Sequence, residues 1–97
     1  MNQLTFLDHR NPHLTHSPAL GRFLGRSLSE CNAILSPLGF PPIKYCYTGK
    51  GRDMYDASMV GDQGQTHSLA LFTREGCDVV VSAKDWGFCA GILEAMT

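Results

Sequence analysis

The apolar residues of this chain change their spacing at a proline-rich connector. Before it they recur every three or four positions, as in an amphipathic helix, and after it they alternate in steps of two, as in a half-buried strand. The helical pattern ends near Ser36-Pro37. Residues 38–42 cannot continue it, because Pro41 and Pro42 lack the backbone N–H that a helix needs. A helix followed by a sheet predicts an α+β domain.

The first helix is predicted to begin at Ser17-Pro18, a capping serine followed by a proline at the first helical position. Its apolar stripe covers about five turns and consists of Leu20, Phe23, Leu24, Leu28, Cys31, Ile34 and Leu35. A second stripe consists of Gly21, Gly25 and Ser29 at intervals of four. Each glycine inside a helix costs roughly 1 kcal/mol relative to alanine. We therefore expect this face to receive another helix, either the last one of the same chain or one from a partner.

Four strands are predicted after the connector, at residues 43–48, 54–60, 67–73 and 77–83. In the first, Ile43, Tyr45 and Tyr47 are expected on one face. Asp85 is expected to cap a last helix, whose apolar positions are Trp86, Cys89, Ala90 and Leu93. Short loops favour antiparallel neighbours. The sequence therefore predicts an N-terminal helix, a four-stranded antiparallel meander and a C-terminal helix in a two-layer sandwich.

The length of 97 residues predicts a single domain over 1–97, with residues 1–16 as a flexible leader or short edge strand. No apolar run approaches the roughly 20 residues that span a bilayer, and the N-terminus lacks the positive region of a secretory signal. The four cysteines lie within predicted helices or strands and form no closely spaced pair. We expect them to be buried free thiols in a reducing cytoplasm.

Catalytic and metal-binding patterns are weak in this sequence. His9, His13 and His16 are close together, but Pro12 interrupts the helical spacing that would align them, so the pattern favours a solvated leader over a metal site. A small enzyme is the alternative, either thiol-dependent through Cys46 or Cys77 with His67, or metal-dependent through the histidine cluster, although no local motif supports it. We predict no enzyme activity, no catalytic residue and no cofactor.

The most distinctive surface is predicted around the turn between the first two strands. Tyrosines and methionines are enriched there, and tyrosine, methionine and arginine are typical of interface cores. The candidate partner-binding residues are Tyr45, Tyr47, Lys50, Arg52 and Tyr55, together with Arg22 and Arg26 on the first helix. We expect a non-enzymatic protein-binding module that acts as an inhibitor or adaptor of a larger host machine. We expect such an inhibitor to be encoded by a phage or mobile element and to be anti-CRISPR-like.

Two further readings stay open. Aromatic residues beside Lys44, Lys50 and Arg52 would also suit single-stranded nucleic acid, and a homodimer is compatible with every function considered. The charges divide along the chain: residues 1–52 carry six cations and two anions, whereas residues 53–97 carry two cations and seven anions. If the fold keeps these groups apart, one basic and one acidic surface would orient a charged partner.

Overall fold

A computed structural model of the chain describes residues 18–86 and 89–94. The expectation of a small α+β domain with an antiparallel sheet is confirmed. The predicted leader, residues 1–16, lies outside the described residues. The elements are a 3-10 helix (Pro18–Arg22), α1 (Leu28–Leu35), a second 3-10 helix (Ser36–Leu38), β1 (Lys44–Gly49), β2 (Arg52–Asp56), β3 (Met59–Val60), β4 (Thr66–Arg74), β5 (Val80–Trp86) and α2 (Cys89–Glu94).

The prediction of one continuous first helix is wrong, because the chain turns at Gly25 between the 3-10 helix and α1. Gly25 has a left-handed backbone, with φ of 81°, which a residue without a Cβ adopts readily. Ser27 then starts α1 with a capping box: its Oγ accepts from the Glu30 N–H at 3.2 Å, and its N–H donates to Glu30 Oε1 at 2.9 Å. Gly21, Gly25 and Ser29 consequently do not share one helical face.

The sheet has the order β1-β2-β4-β5, all antiparallel, and β3 pairs with the first residues of β4. The second predicted strand is divided by Ala57 and Ser58 into β2 and β3. Both parts keep the same register on β4: Asp56 lies opposite Ala70, and Met59 lies opposite His67. The Ala57 N–H donates to the Leu69 carbonyl at 2.9 Å across the gap. β2 and β3 therefore behave as one interrupted arm of a long hairpin.

The last strand is Val80–Trp86 rather than the predicted 77–83, so Asp85 does not cap a helix. Asp85 is a fully buried strand residue opposite Leu69, and Trp86 lies opposite Ser68. The shift arises because the N–H of Cys77 bonds to the Arg74 carbonyl at 2.9 Å and prolongs the turn after β4. The strand therefore starts later than its β-branched run indicated.

The core lies on one side of the sheet. Register places the buried sheet residues Leu69, Leu71, Val80 and Ala83 on a single face. The helical segments pack there through Phe23, Cys31, Leu35, Cys89 and Leu93. Burial of such side chains contributes roughly 1.5–3 kcal/mol each for the larger aliphatic and aromatic ones. The opposite sheet face carries no helix among the described residues.

The four cysteines are free thiols, but only two are buried as predicted. Cys31 and Cys89 are fully buried in the core, whereas Cys46 on β1 and Cys77 in the turn before β5 are exposed. The prediction assumed that cysteines in an apolar stretch of sequence are buried. This assumption fails for Cys46 in the edge strand β1 and for Cys77 in a turn.

Candidate functional site

A β-bulge in β1 separates two of the predicted binding tyrosines. Tyr45 lies opposite Tyr55, and Tyr47 lies opposite Met54, so Cys46 has no partner in β2. One extra residue reverses the side that the following residues occupy. The prediction that Tyr45 and Tyr47 share a face is therefore wrong: Tyr45 lies on the helix side of the sheet and Tyr47 on the opposite side.

On the helix side, Tyr45 packs edge to face on Tyr55, with ring centroids 5.6 Å apart and an interplanar angle of 68°. The Tyr45 and Thr48 hydroxyls are hydrogen-bonded at 2.7 Å. Burial, followed by the nearby Asp53 carboxylate, raises the pKa of Tyr55 above its ordinary value. This pair stays partly open to solvent, since Tyr45 is 54% exposed at the edge of the sheet.

The helix-free side of the sheet, here called the open face, collects residues from all four long strands. Its register rows are Tyr47–Met54–Phe72–Ser82, Arg52–Arg74, Lys44–Asp56–Ala70–Lys84 and Ser68–Trp86. Tyr47 is 58% exposed and Trp86 is 39% exposed, while Phe72 between them is half-buried. Three aromatic rings are thus presented to solvent on one surface.

Cations stack on these rings. The Arg52 guanidinium lies 4.7 Å from the centroid of Phe72. The Lys84 ammonium lies 5.9 Å from the centroids of both Phe72 and Trp86. Such contacts contribute roughly 0.5–1 kcal/mol at exposed sites. They hold long cationic side chains flat against the sheet and near the aromatic surface.

The charge of the open face is strongly one-sided. Its rows contain four cations, Lys44, Arg52, Arg74 and Lys84, and one carboxylate, Asp56. Two of the cations come from the acidic second half of the chain. The division of charge along the sequence therefore does not predict the charge of this surface. Strand pairing brings residues of both halves of the chain together, and alternation along each strand decides which face each charge occupies.

At one end of the open face lies a cavity of about 270 Å³, here called the hairpin cavity. It is lined by Tyr47, Gly49, Lys50, Arg52, Met54 and Phe72. Lys50 and Gly51 form the two-residue connection between β1 and β2, and both have positive φ, 56° and 76°. This is the backbone that a tight type I′ hairpin requires.

The buried carboxylate of Asp53, on the helix side of the sheet, joins the two turns at this end of the sheet. Asp53 accepts hydrogen bonds from the Thr48 hydroxyl and, at 3.1 Å, from the Gly76 N–H. The Glu75 N–H also donates to the Gly51 carbonyl at 2.9 Å. The β1–β2 hairpin and the β4–β5 turn are thereby tied together, and the position of the cavity walls is fixed with them.

The structure brings together only some of the predicted binding residues. Tyr47, Lys50 and Arg52 meet at the hairpin cavity, whereas Tyr45 and Tyr55 lie on the helix side. Arg22 and Arg26 lie beside β5, since the Val80 N–H donates to the Arg26 carbonyl at 2.8 Å. β1 and β5 are at opposite edges of the sheet, about 14 Å apart, and the arginine pair lies at the β5 edge, away from β1.

Sequence reasoning missed four open-face residues, namely Phe72, Arg74, Lys84 and Trp86. A signal was present for Phe72, because it alternates with the buried Leu69 and Leu71 and so belongs to the opposite face. Trp86 was hidden because its spacing to Cys89 and Leu93 also fits a helix. Pairing across β4 and β5 was needed to place it.

The thiol-enzyme alternative finds little support in the geometry. Burial raises the pKa of the Cys31 thiol to about 11 and that of the Cys89 thiol to about 12, so neither is a thiolate near neutrality. His67 lies near the start of β4 and Cys77 beyond its end. The bulged Cys46 on β1 lies level with Leu71 of β4, two strands away, and His67 is four positions, roughly 13 Å, further along β4.

The described part of the chain also contains no group of three or more His, Cys, Asp or Glu residues that could hold a metal ion. His9, His13 and His16 lie outside the described residues. In the same part of the chain, no helix has the length and apolar character needed to cross a membrane. Comparison of the chain with protein-family models, with curated proteins and with solved structures finds no match.

Proposed function

We propose that this protein binds single-stranded nucleic acid, without catalysis, on the open face of its sheet. The observation that carries the proposal is the combination of three solvent-facing rings, Tyr47, Phe72 and Trp86, with cations stacked among them. Nucleobases stack on aromatic side chains, at roughly 1–3 kcal/mol per base, while a basic surface follows the phosphates. An antiparallel sheet with exposed aromatics is a common platform for such binding.

A single strand fits this surface better than a duplex. Aromatic stacking requires unpaired bases, whose faces are free. The described open face carries no helix that could enter a major groove, which is how many duplex readers obtain their contacts. The rings are spread over β1, β4 and β5, so a strand that crosses the sheet would meet them in succession.

Fluorescence anisotropy with labelled 12-nucleotide pyrimidine DNA and RNA tests the proposal. We expect binding that weakens steeply from 25 to 200 mM salt, with a log–log slope of about −3 if the four open-face cations each contact a phosphate. Trp86→Ala should lose roughly 1–3 kcal/mol of binding free energy.

Arg52→Gln and Arg26→Gln form a matched pair for this experiment. Each removes one exposed arginine charge, but Arg52 lies on the open face and Arg26 beside β5, 4.0 Å from Glu30. Arg52→Gln should weaken binding and flatten the salt slope by about 0.7, while Arg26→Gln should leave both unchanged. Equal effects of the two variants, or no binding at 25 mM salt, would contradict nucleic-acid binding on this face.

A protein-binding inhibitor or adaptor is the second candidate. It is favoured by the exposure of every residue of β1, which places Tyr45 and Tyr47 on the two sides of one edge strand. Tyrosine is enriched at interface hot spots. A protein docked around this edge would lose affinity with Tyr45→Ala as well as with Tyr47→Ala. A nucleic acid on the open face would respond to Tyr47→Ala alone.

A cytoplasmic location belongs to the same proposal. It is supported by four free cysteines, two of them exposed, a pattern suited to a reducing compartment. Fractionation of cells that express the tagged chain tests it, and recovery in a membrane or extracellular fraction would contradict it.

A further inference from the structure

We propose that the hairpin cavity holds one nucleotide unit, with its base on Tyr47 and its phosphate against Lys50 and Arg52. The inference rests on the proposed function and adds a defined subsite to it. The remainder of the open face would then contact the strand outside this subsite.

The register places one open aromatic ring beside the cavity. Tyr47 and Phe72 occupy the same register row on β1 and β4, with Met54 of β2 between them. The Arg52 guanidinium lies over the Phe72 ring, 4.7 Å from its centroid, whereas Tyr47 is 58% exposed. Tyr47 is therefore the ring on which a base can stack.

The volume of the hairpin cavity limits the size of its ligand. Pockets for small molecules begin at about 300 Å³, and this cavity is close to that limit at about 270 Å³. It suits a single nucleotide rather than a dinucleotide or a larger cofactor.

The charge of the lining favours a phosphate. Lys50 and Arg52 contribute only hydrogen-bond donors, and none of the described lining residues is acidic. The nearest carboxylate in sequence, Asp53, lies on the other sheet face, where Thr48 and Gly76 donate to it. An anion in the cavity therefore meets two cations with no acidic side chain in the lining.

The backbone at this end of the cavity is held in place before any ligand arrives. The backbone bond from Glu75 to Gly51 and the two bonds to Asp53 tie both turns at this end of the sheet. The Arg52 guanidinium is already held on Phe72. Ordering of loops and side chains is a substantial cost of binding, so a preformed turn and a held arginine favour affinity.

The recognised chemistry is a nucleoside phosphate, which can be supplied by a strand or by a free nucleotide. Amide NMR titrations of the full chain with the four nucleoside 5′-monophosphates, with inorganic phosphate and with a 12-nucleotide strand distinguish the sources. We expect monophosphates to shift amides at Tyr47, Lys50 and Arg52 and to leave the Trp86 indole signal unchanged. The strand should shift both regions.

Lys50→Asn and Lys44→Gln are the variants for this titration. Asparagine tolerates the left-handed backbone of position 50, so the charge is removed while the turn is kept. Lys50→Asn should weaken monophosphate binding roughly tenfold. Lys44→Gln, on the open face but outside the cavity lining, should leave it unchanged and weaken only the strand. Unchanged amide spectra elsewhere would show that both variants are folded.

The outcomes separate this inference from the proposed function. If the strand binds and monophosphates shift nothing at the hairpin, the cavity proposal is wrong and binding on the open face stands. If monophosphates bind and the strand does not, strand binding is wrong and the cavity is a site for free nucleotides. If neither ligand binds, both proposals are wrong.

Discussion

Cys46 decides which tyrosine of β1 reaches the open face. Cys46 has no partner in β2, and this extra residue places Tyr47 on the side of the sheet opposite Tyr45. In a regular strand, two residues separated by two positions lie on the same side. Strict alternation, the rule available from sequence, places both tyrosines together. A bulge leaves no mark in the order of residue types, so this part of the site could not be predicted.

The four thiols should divide into two classes by reactivity. Cys46 and Cys77 are exposed, whereas Cys31 and Cys89 are buried with raised pKa values. We expect two thiols per chain to react rapidly with a thiol reagent at pH 8 and the other two only after unfolding. Mass spectrometry of the labelled peptides identifies them, and rapid labelling of Cys31 or Cys89 would contradict the packing of the core.

The same burial makes stability depend on alkaline pH. Unfolded thiols ionise near 9.0, while the folded values are about 11 for Cys31 and about 12 for Cys89. Above pH 9 the native state retains protons that the unfolded chain releases, so this contribution is complete below pH 9 and is lost as pH rises. Each thiol lowers the free energy of unfolding by up to about 1.4 kcal/mol per pH unit in this window.

Urea unfolding of Cys89→Ala at pH 9 to 10.5 isolates the contribution of one buried thiol to the pH dependence of stability. Its loss of stability with pH should be shallower than that of the unmodified chain, because one titrating thiol is gone. Cys46→Ala, at an exposed cysteine outside the core, is the matched control. Identical slopes for all three proteins would show that Cys89 titrates normally in the fold.

At the scale of elements, the sequence predicted the kinds of structure better than their limits. The change of apolar period across the connector located the helical and strand regions, because period reflects one-sided burial. The turn at Gly25 is joined to the start of β5 by hydrogen bonds between distant segments, such as that from Gly25 to Val80 at 2.8 Å. No local pattern contains such contacts.

Gly21 and Gly25 provide a matched test of the divided first helix. In a continuous helix, alanine at either position would stabilise the protein. A Cβ at either position meets nothing within 4 Å, but Gly25 has φ of 81°. We expect Gly25→Ala to lower the free energy of unfolding by roughly 1–2 kcal/mol. Gly21→Ala should leave it unchanged or raise it by up to about 1 kcal/mol.

Urea denaturation of both variants measures these changes directly. Equal stabilisation by the two substitutions would indicate a continuous first helix and would contradict the turn at Gly25. Circular dichroism of the folded variants provides the control that neither change alters the overall helix content.

At the scale of the whole molecule, both outer strands of the sheet are poor templates for another strand. β1 is interrupted by the bulge at Cys46, and β5 has a second bulge where Val81 is passed over between Val80 and Ser82. Residues 25–28 also pair with residues 78–80 along the outer side of β5. Bulges and covered edges are the usual means by which sheet proteins avoid edge-to-edge association.

We therefore expect the isolated chain to be a monomer of 10.6 kDa. Light scattering coupled to gel filtration at 10–100 μM measures the mass. A concentration-dependent increase to twice this value would show that an edge or the open face serves self-association. In the second case, the open face would be an interface between two copies of the chain.

The pairing of residues 25–28 with residues 78–80 also bears on the order of folding. Ser27 and Val79 are 52 positions apart, so their contact closes a large loop, whereas the meander closes only short ones. We expect the hairpins to form the nucleus and α1 to dock after the rate-limiting step. Ser27→Ala, which removes the cap of α1, should then accelerate unfolding and leave the refolding rate nearly unchanged in stopped-flow measurements.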